Sequence, residues 1–247
     1  MQEKIPHIIH YFWFGGNEKS ESVKKCIESW REFCPDFEIK EWNEKNYDFH
    51  KHPFMEEAYR EGKWAFVSDY ARLDVLYEHG GVYLDTDVEV LKDLSPLCEN
   101  RAYMGFESKE MIGDGAGFGF TAGSPLLKEM MAEYDSLSEY VESPKLRTKI
   151  LVGHGLIQDG TRQKVDGVEI YPSEYLSPKN YYTGKVTITE NTYSIHHFEA
   201  SWHESNTGFY KKLMRSLTGT FGEKTGMAIF KGIVAVKDAL LGKGGKS

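Results

Sequence analysis

The period of the hydrophobic positions changes several times along the chain, and each change marks a predicted element. Ile5 to Phe14 is a run of β-branched and aromatic residues closed by Gly15-Gly16, the pattern of a buried strand and its turn. Ser20 or Ser22 is placed to cap a helix running to about Phe33, which Pro35 and Asp36 stop. Phe37 to Trp42 alternates as a second strand, Asn43 to His52 is polar loop, and Pro53 suits the first turn of a short helix. Trp64 to His79 carries helical spacing up to Gly80-Gly81, after which Val82 to Leu84 runs as a strand into Asp85-Thr86-Asp87 and Val88 to Leu91 continues extended. Further on, Ala102–Phe106, Val168–Tyr171 and Tyr193–Phe198 read as strands, and Pro125–Tyr134 and Lys145–Gln158 as helices. The glycine-rich stretch Gly113–Gly123 reads as a loop around a short strand. Strands alternating with helices imply an α/β sheet, and no internal repeat interrupts the order.

On a helical wheel, Phe66, Tyr70, Leu73 and Tyr77 form the apolar stripe of the Trp64–His79 helix. Asp74 and Glu78 fall on the far, solvent side. Asp69 and Arg72, three residues apart, share a flank of the stripe with Leu76. Unpaired charge is costly on a half-buried flank, so the two form either a structural ion pair or a pair facing a ligand. Asp85 and Asp87 follow a strand, where open α/β sheets bind ligands beyond the strands' C-terminal ends. Residues i and i+2 of extended chain point one way. Two hard oxygen ligands side by side suit Mg²⁺ or Mn²⁺ bridging to a diphosphate. In a chain with this many aspartates the spacing alone arises by chance. The context of helix, Gly-Gly turn, aromatic strand and acids gives it meaning.

Composition removes several function classes. The 247 residues suffice for a large core, and a net charge of −8 argues against general nucleic-acid binding. No apolar run reaches the length of a membrane span. The expectation for the N-terminus is no signal peptide, and for Cys26, Cys34 and Cys98 reduced thiols, as in a cytoplasmic protein. The charge is unevenly spread. From Thr207 onward eight Lys or Arg stand against Glu223 and Asp238, so this tail carries +6 and residues 1–206 carry −14. The expected organisation is a catalytic domain over 1–206 and a basic, partly amphipathic tail over 207–247.

The run SDYARLDVLYEHGGVYLDTDVEVL resembles the core motif of glycosyltransferase family 32, the DXD-motif sugar transferases of bacterial surface and capsular polysaccharide synthesis. Och-type mannosyltransferases and the glucosylating toxin domains are related to this family. IPHIIHYFWFGG and SIHHFEASW match two further landmarks, so the resemblance spans roughly Ile5 to Trp202. It implies a GT-A fold with a central mixed, mainly parallel sheet, a nucleotide-sugar donor, a divalent metal (usually Mn²⁺), and retention of anomeric configuration. Trp13 takes the place of the tryptophan that stacks on the nucleotide base. Asp69 and Arg72 match residues at the donor's sugar and phosphate, where Arg72 would offset leaving-group charge. Tyr83 and Asp85 match positions near the ribose and sugar, and Asp87 the direct metal ligand.

In the third landmark, His196 and His197 lie on opposite faces if extended, so one alone reaches the site. The analogy favours His197 as metal ligand, with Glu199 and Ser201 as alternatives and His196 structural. Ser201 and Trp202 resemble the pair that closes over the diphosphate in the toxin domains, although a His-His pair stands here where the toxins use a carboxylate. The Gly113–Gly123 segment, with Asp114, is either an acceptor-site loop or a plain flexible one. No enzymic nucleophile stands out, which favours front-side attack. Two other classes are a metal-dependent sugar-binding module and a glycoside hydrolase using a carboxylate pair. In the tail, Ile229, Phe230, Ile233, Val234, Val236, Leu240 and Leu241 fill half a helical circle, with Lys237 intruding. The helix either packs on the body or lies on an anionic membrane, where lipid-linked acceptors are found.

Overall fold

A computed structural model describes residues 3–199 and 206–241. The strands in chain order are β1 (Ile8–Phe12), β2 (Glu38–Trp42), β3 (Gly81–Tyr83), β4 (Val88–Val90), β5 (Ala102–Phe106), β6 (Ile112–Gly113), β7 (Phe118–Phe120), β8 (Gln163–Val165), β9 (Val168–Tyr171) and β10 (Ser194–His196). The helices are α1 (Glu21–Phe33), α2 (Pro53–Arg60), α3 (Trp64–His79), α4 (Ser95–Cys98), α5 (Pro125–Ala132), α6 (Ser143–Gly153), α7 (Ser173–Leu176), α8 (Asn206–Phe221) and α9 (Glu223–Leu241). They form two compact units. One holds the chain to Pro178 together with Thr187–Glu199, and the other holds Lys179–Val186 and the chain from Ala200.

The first unit is built on an eight-stranded sheet in the order β2-β1-β3-β7-β5-β9-β8, with β6 paired to β5. β1, β2, β3, β5 and β9 run in one direction and β6, β7 and β8 run against them, so the sheet is mixed with a parallel majority. Strand alternation sends side chains into two cores. Ile9 and Tyr11 join Val23, Ile27 and Trp30 of α1 on one face, while Phe12 packs with Val67, Ala71 and Leu73 of α3 on the other. β4 and β10 form a separate antiparallel pair.

α1 begins where the serines predicted it, with Ser20 Oγ accepting from Val23 N at 3.3 Å. α3 ends at Gly80, and Gly81 follows at φ 113°. A Cβ at Gly81 would stand 2.7 Å from the Ile8 carbonyl, so the turn into β3 demands glycine. Two helices differ from the sequence expectation. α5 stops at Ala132 and tightens into a 3₁₀ turn, Glu133–Ser136. α6 runs Ser143–Gly153 rather than Lys145–Gln158, because Gly155 at φ 99° turns the chain away.

The second unit is a helical hairpin with a short β-bridged loop. Gly222 (φ 78°) joins α8 to α9. Gly226 lies so close to Thr218 that a Cβ there would sit 2.5 Å from its backbone. Lys179 and Val186 form an antiparallel bridge, and Thr218 Oγ1 donates to the Tyr182 carbonyl at 3.0 Å. Among the described residues no helix is long and apolar enough to cross a membrane.

Candidate active site

β3 leads directly into Leu84-Asp85-Thr86-Asp87, but these residues do not continue the strand. Val88 N donates to the Asp85 carbonyl at 3.1 Å, closing a turn, and Asp85 N donates to the Gly115 carbonyl at 3.0 Å. The two carboxylates thus converge because a turn brings them together, not through strand alternation. His196, at the end of β10 opposite Val88, is the third member. Its Nε2 stands 3.2 Å from Asp87 Oδ1 and 3.9 Å from Asp85 Oδ2. One ligand atom from each of Asp85, Asp87 and His196 lies within 4.8 Å of the others. Gly115 makes the room, since a Cβ there would fall 2.2 Å from Asp85 Oδ2.

The sequence expectation favoured His197 at this position. The alternation of side chains held, with the opposite residue inside. β10 ends with His196 turned toward the carboxylates, and His197 Nε2 lies 2.8 Å from Glu89 Oε2. Glu199 meets Asp87 through its backbone, its N donating to Oδ2 at 2.7 Å, while its own carboxylate accepts from Ser22 Oγ. Ser201 and Trp202 lie outside the described residues. Trp13 follows β1, partly exposed, its Nε1 donating to the Asn17 carbonyl at 2.7 Å.

Behind the cluster lies a buried ionic network. Arg72 Nη2 stands 3.0 Å from Asp69 Oδ1 and 3.3 Å from Asp85 Oδ1, and Nη1 stands 3.2 Å from Asp114 Oδ1. Its Nε donates to the Ser68 carbonyl, and the guanidinium lies 4.5 Å over the Tyr83 ring. Tyr83 donates to Asp85 Oδ1 at 2.7 Å. Arg72 and Tyr83 are both almost fully buried beside Asp85. Asp69 and Arg72 form an ion pair, and Arg72 also braces Asp85.

Asp114 is not an exposed loop residue. It is 1% exposed and also accepts from Arg147 Nε at 2.9 Å and Ser143 Oγ at 2.8 Å. Arg147, fully buried on α6, further donates to the Asp69 carbonyl and to Tyr134 Oη. Sequence reasoning missed Arg147. Its signal was a lone basic residue among the apolar positions of a helix.

Electrostatics follow from this packing. Burial opposes ionisation of Asp87, yet the His196 charge beside it and the hydrogen bond from Glu199 N hold its carboxyl at about 2. Burial likewise opposes the His196 cation, and Asp87 and Asp85 overcome it, raising the imidazole to about 9. Burial pushes Asp69 up to about 7 despite Arg72, and raises Asp85. Burial works against Asp114 too, but Arg72 and Arg147 keep it below the usual carboxylate range.

Residues 20–104 match the family described as the glycosyltransferase sugar-binding region containing DXD motif. Among curated relatives, inositol phosphoceramide mannosyltransferase 3 of Schizosaccharomyces pombe is 25% identical over 83% of this chain and 58% of its own length. Inositol phosphoceramide mannosyltransferase 1 of that organism is 31% identical over 45% of this chain and 36% of its own. Human alpha-1,4-N-acetylglucosaminyltransferase is 26% identical over 60% and 43%. The chain spans less than two thirds of the length of each of these. Among solved structures, the PaToxG glycosyltransferase superposes with a TM-score of 0.50 at 20% identity, covering 61% of this chain and 69% of that one. The fold is GT-A, and within it residues 20–104 are similar to the glycosyltransferase sugar-binding region that contains the DXD motif.

Proposed function

We propose that the chain transfers a sugar from a nucleoside diphosphate donor to a saccharide acceptor, with a divalent cation and with retention of configuration. The observation that carries this reading is the convergence of Asp85, Asp87 and His196 at the C-terminal edge of the sheet. These residues fit a divalent cation. The imidazole faces two carboxylates, and His196 Nδ1 and Asp87 Oδ1 are buried with no hydrogen-bond partner among the described residues. Asp87 and His196, with Asp85, would hold the metal, and two carboxylates with one imidazole suit Mn²⁺ or Mg²⁺. When bound, the cation would neutralise charge building on the departing diphosphate.

The rest falls to this chain's side chains. Asp69 and Arg72, fixed by Asp114 and Arg147, hold Asp85 in place. Trp13, on the neighbouring strand end, offers a partly exposed indole for the nucleotide base. The front-side route rests on the lack of a nucleophile in the sequence motifs, and an acceptor hydroxyl would attack on the face the diphosphate leaves. An acceptor that is lipid-linked, as in surface or capsular polysaccharide assembly, fits the basic tail. It would keep the enzyme at the cytoplasmic face of a membrane.

The test is nucleoside diphosphate release from UDP-glucose, UDP-galactose, their N-acetyl forms and GDP-mannose with MnCl₂. Turnover with at least one donor, abolished by EDTA and by Asp87→Ala, is expected. Turnover of either Asp85→Ala or Asp87→Ala that persists in EDTA would overturn the metal assignment. Binding without turnover would point to a sugar-binding module, and sugar release from an oligosaccharide without nucleotide to a hydrolase.

A further inference from the structure

The register of the central sheet aligns three positions that no motif connects. Ile9 of β1 pairs with Val82 of β3, Val82 pairs with Gly119 of β7, and Gly119 pairs with Tyr103 of β5. β1, β3 and β5 run in the same direction and end at Phe12, Tyr83 and Phe106, so Trp13, the turn that follows Leu84, and Glu107 all lie just beyond the C-terminal ends of their strands. Trp13 stands at the β1 end, the Asp85-Thr86-Asp87 turn at the β3 end, and Glu107 at the β5 end. β7 lies between the last two, which separates them by two ladder steps, about 10 Å.

Glu107 has the local features of a group waiting for a ligand. Its backbone N–H is satisfied by the Met111 carbonyl at 2.8 Å, which closes the β5–β6 hairpin. Its carboxylate is half-buried and, among the described residues, makes no hydrogen bond or ion pair. The chain makes room for it as it does for Asp85. A Cβ at Gly113 would stand 2.8 Å from Glu107 Cβ and 2.9 Å from Oε2, and one at Gly115 would stand 2.2 Å from Asp85 Oδ2. Gly113 and Gly115 therefore line one side with two carboxylates, while Asp114 between them is taken up by Arg72, Arg147 and Ser143. Burial raises the Glu107 carboxyl, opposed by His196 and reinforced by Asp114 and Asp85, so Glu107 and the cluster share one electrostatic site.

A nucleoside diphosphate sugar has the same linear order as this edge: base, diphosphate, sugar. With the base at Trp13 and the diphosphate at the β3 turn, the sugar falls toward β5. Resting on the reading under Proposed function, we propose that Glu107 is the specificity-determining acceptor for hydroxyl groups of the transferred hexose. A carboxyl group with no protein donor can accept from a pair of sugar hydroxyls, and a site built to bond a hydroxyl rejects the epimer that misplaces it.

The experiment compares the wild-type chain, Glu107→Gln and Gly113→Ala, the last displacing the carboxylate without removing it. Calorimetry with MnCl₂ measures affinity for UDP, GDP and the matching nucleotide sugars, and kinetics measures kcat/KM across the gluco-, galacto- and manno-configured donors that turn over. Both variants should bind the bare nucleoside diphosphate within about twofold of wild type. They should lose about 10-fold or more in kcat/KM for the preferred donor and in the affinity that its sugar adds. Discrimination between epimeric donors should shrink with them. Unchanged sugar-dependent affinity and epimer preference in Glu107→Gln would overturn the assignment. Equal loss of bare nucleotide binding would do so as well, since that would mark a structural role. If the wild type binds nucleotide sugars without turnover, the transferase reading fails alone and the sugar-dependent affinity still decides the role of Glu107. If it binds none, both fall.

Discussion

His196 and His197 show how a single residue step decides a site. Extended chain places adjacent side chains on opposite faces, and β10 pairs with β4 so that His196 stands over Val88 beside the carboxylates. His196→Ala should therefore weaken Mn²⁺ binding in the presence of nucleoside diphosphate by about 10-fold or more, while His197→Ala should change it little. Titration of Mn²⁺ by electron paramagnetic resonance reads this directly, and the reverse ranking would return the role to His197. Asp114 makes the opposite case, a carboxylate legible only through its partners. Nothing in a glycine-rich run shows that one aspartate will face two buried arginines from helices on either side of it in sequence. Removing its charge leaves Arg72 and Arg147 short of a counterion, so Asp114→Asn should destabilise the fold by about 3 to 5 kcal/mol. Urea unfolding measures it, and a loss near zero would show that Asp69 and Asp85 suffice.

Elements were legible where a local signal and the tertiary environment agree. Ala102–Phe106 and Val168–Tyr171 are strands from end to end as their β-branched and aromatic runs predict, and α3 spans Trp64–His79 as its glycine stop implies. The misses are short or depend on turns. β8 is three residues long, and its signal was the Asp166-Gly167 pair, both at positive φ, which folds it back against β9. α8 was hidden because the tail was read by its glycines and lysines rather than by the spacing of Leu213, Met214 and Leu217. The junction of β1, β2 and α3 carries a pH-dependent element. His10 is fully buried, with Nε2 2.8 Å from the Gly80 carbonyl and Nδ1 accepting from Trp42 Nε1 at 3.0 Å. Burial lowers it from 6.5 to about 4, against the Gly80 hydrogen bond. Above pH 6.5 the imidazole is neutral in both folded and unfolded chains, and its full contribution is present. As pH falls toward 4 the unfolded chain binds the proton first, so stability drops by about 3 kcal/mol over that window. Unfolding free energies at pH 7 and pH 4.5 should differ less in His10→Gln than in wild type. An equal difference would place the titration elsewhere.

At the scale of the molecule, charge divides along the two units. Lys179–Val186 and the chain from Ala200 hold ten Lys or Arg against Glu204, Glu223 and Asp238, or +7, which leaves −15 on the remainder. The acidic unit contains the carboxylates that would hold a cation, and an anionic donor meets net repulsion there unless that cation is bound. The basic unit presents Tyr181, Tyr182, Phe221 and Ile233, each about 40% exposed or more, together with exposed Lys212, Lys224 and Lys231. Exposed aromatic and aliphatic side chains among lysines suit the interface of an anionic bilayer, where each basic residue contributes about 1 kcal/mol. The full chain should float with vesicles containing phosphatidylserine, less so as salt rises, and not with pure phosphatidylcholine. Lys212→Glu, Lys224→Glu and Lys231→Glu combined should reduce flotation more than 10-fold while leaving donor turnover unchanged, because none of the three is assigned to the metal or the donor. Flotation that survives these reversals, or that ignores lipid charge, would leave the basic unit as a packing element and return the acceptor to solution.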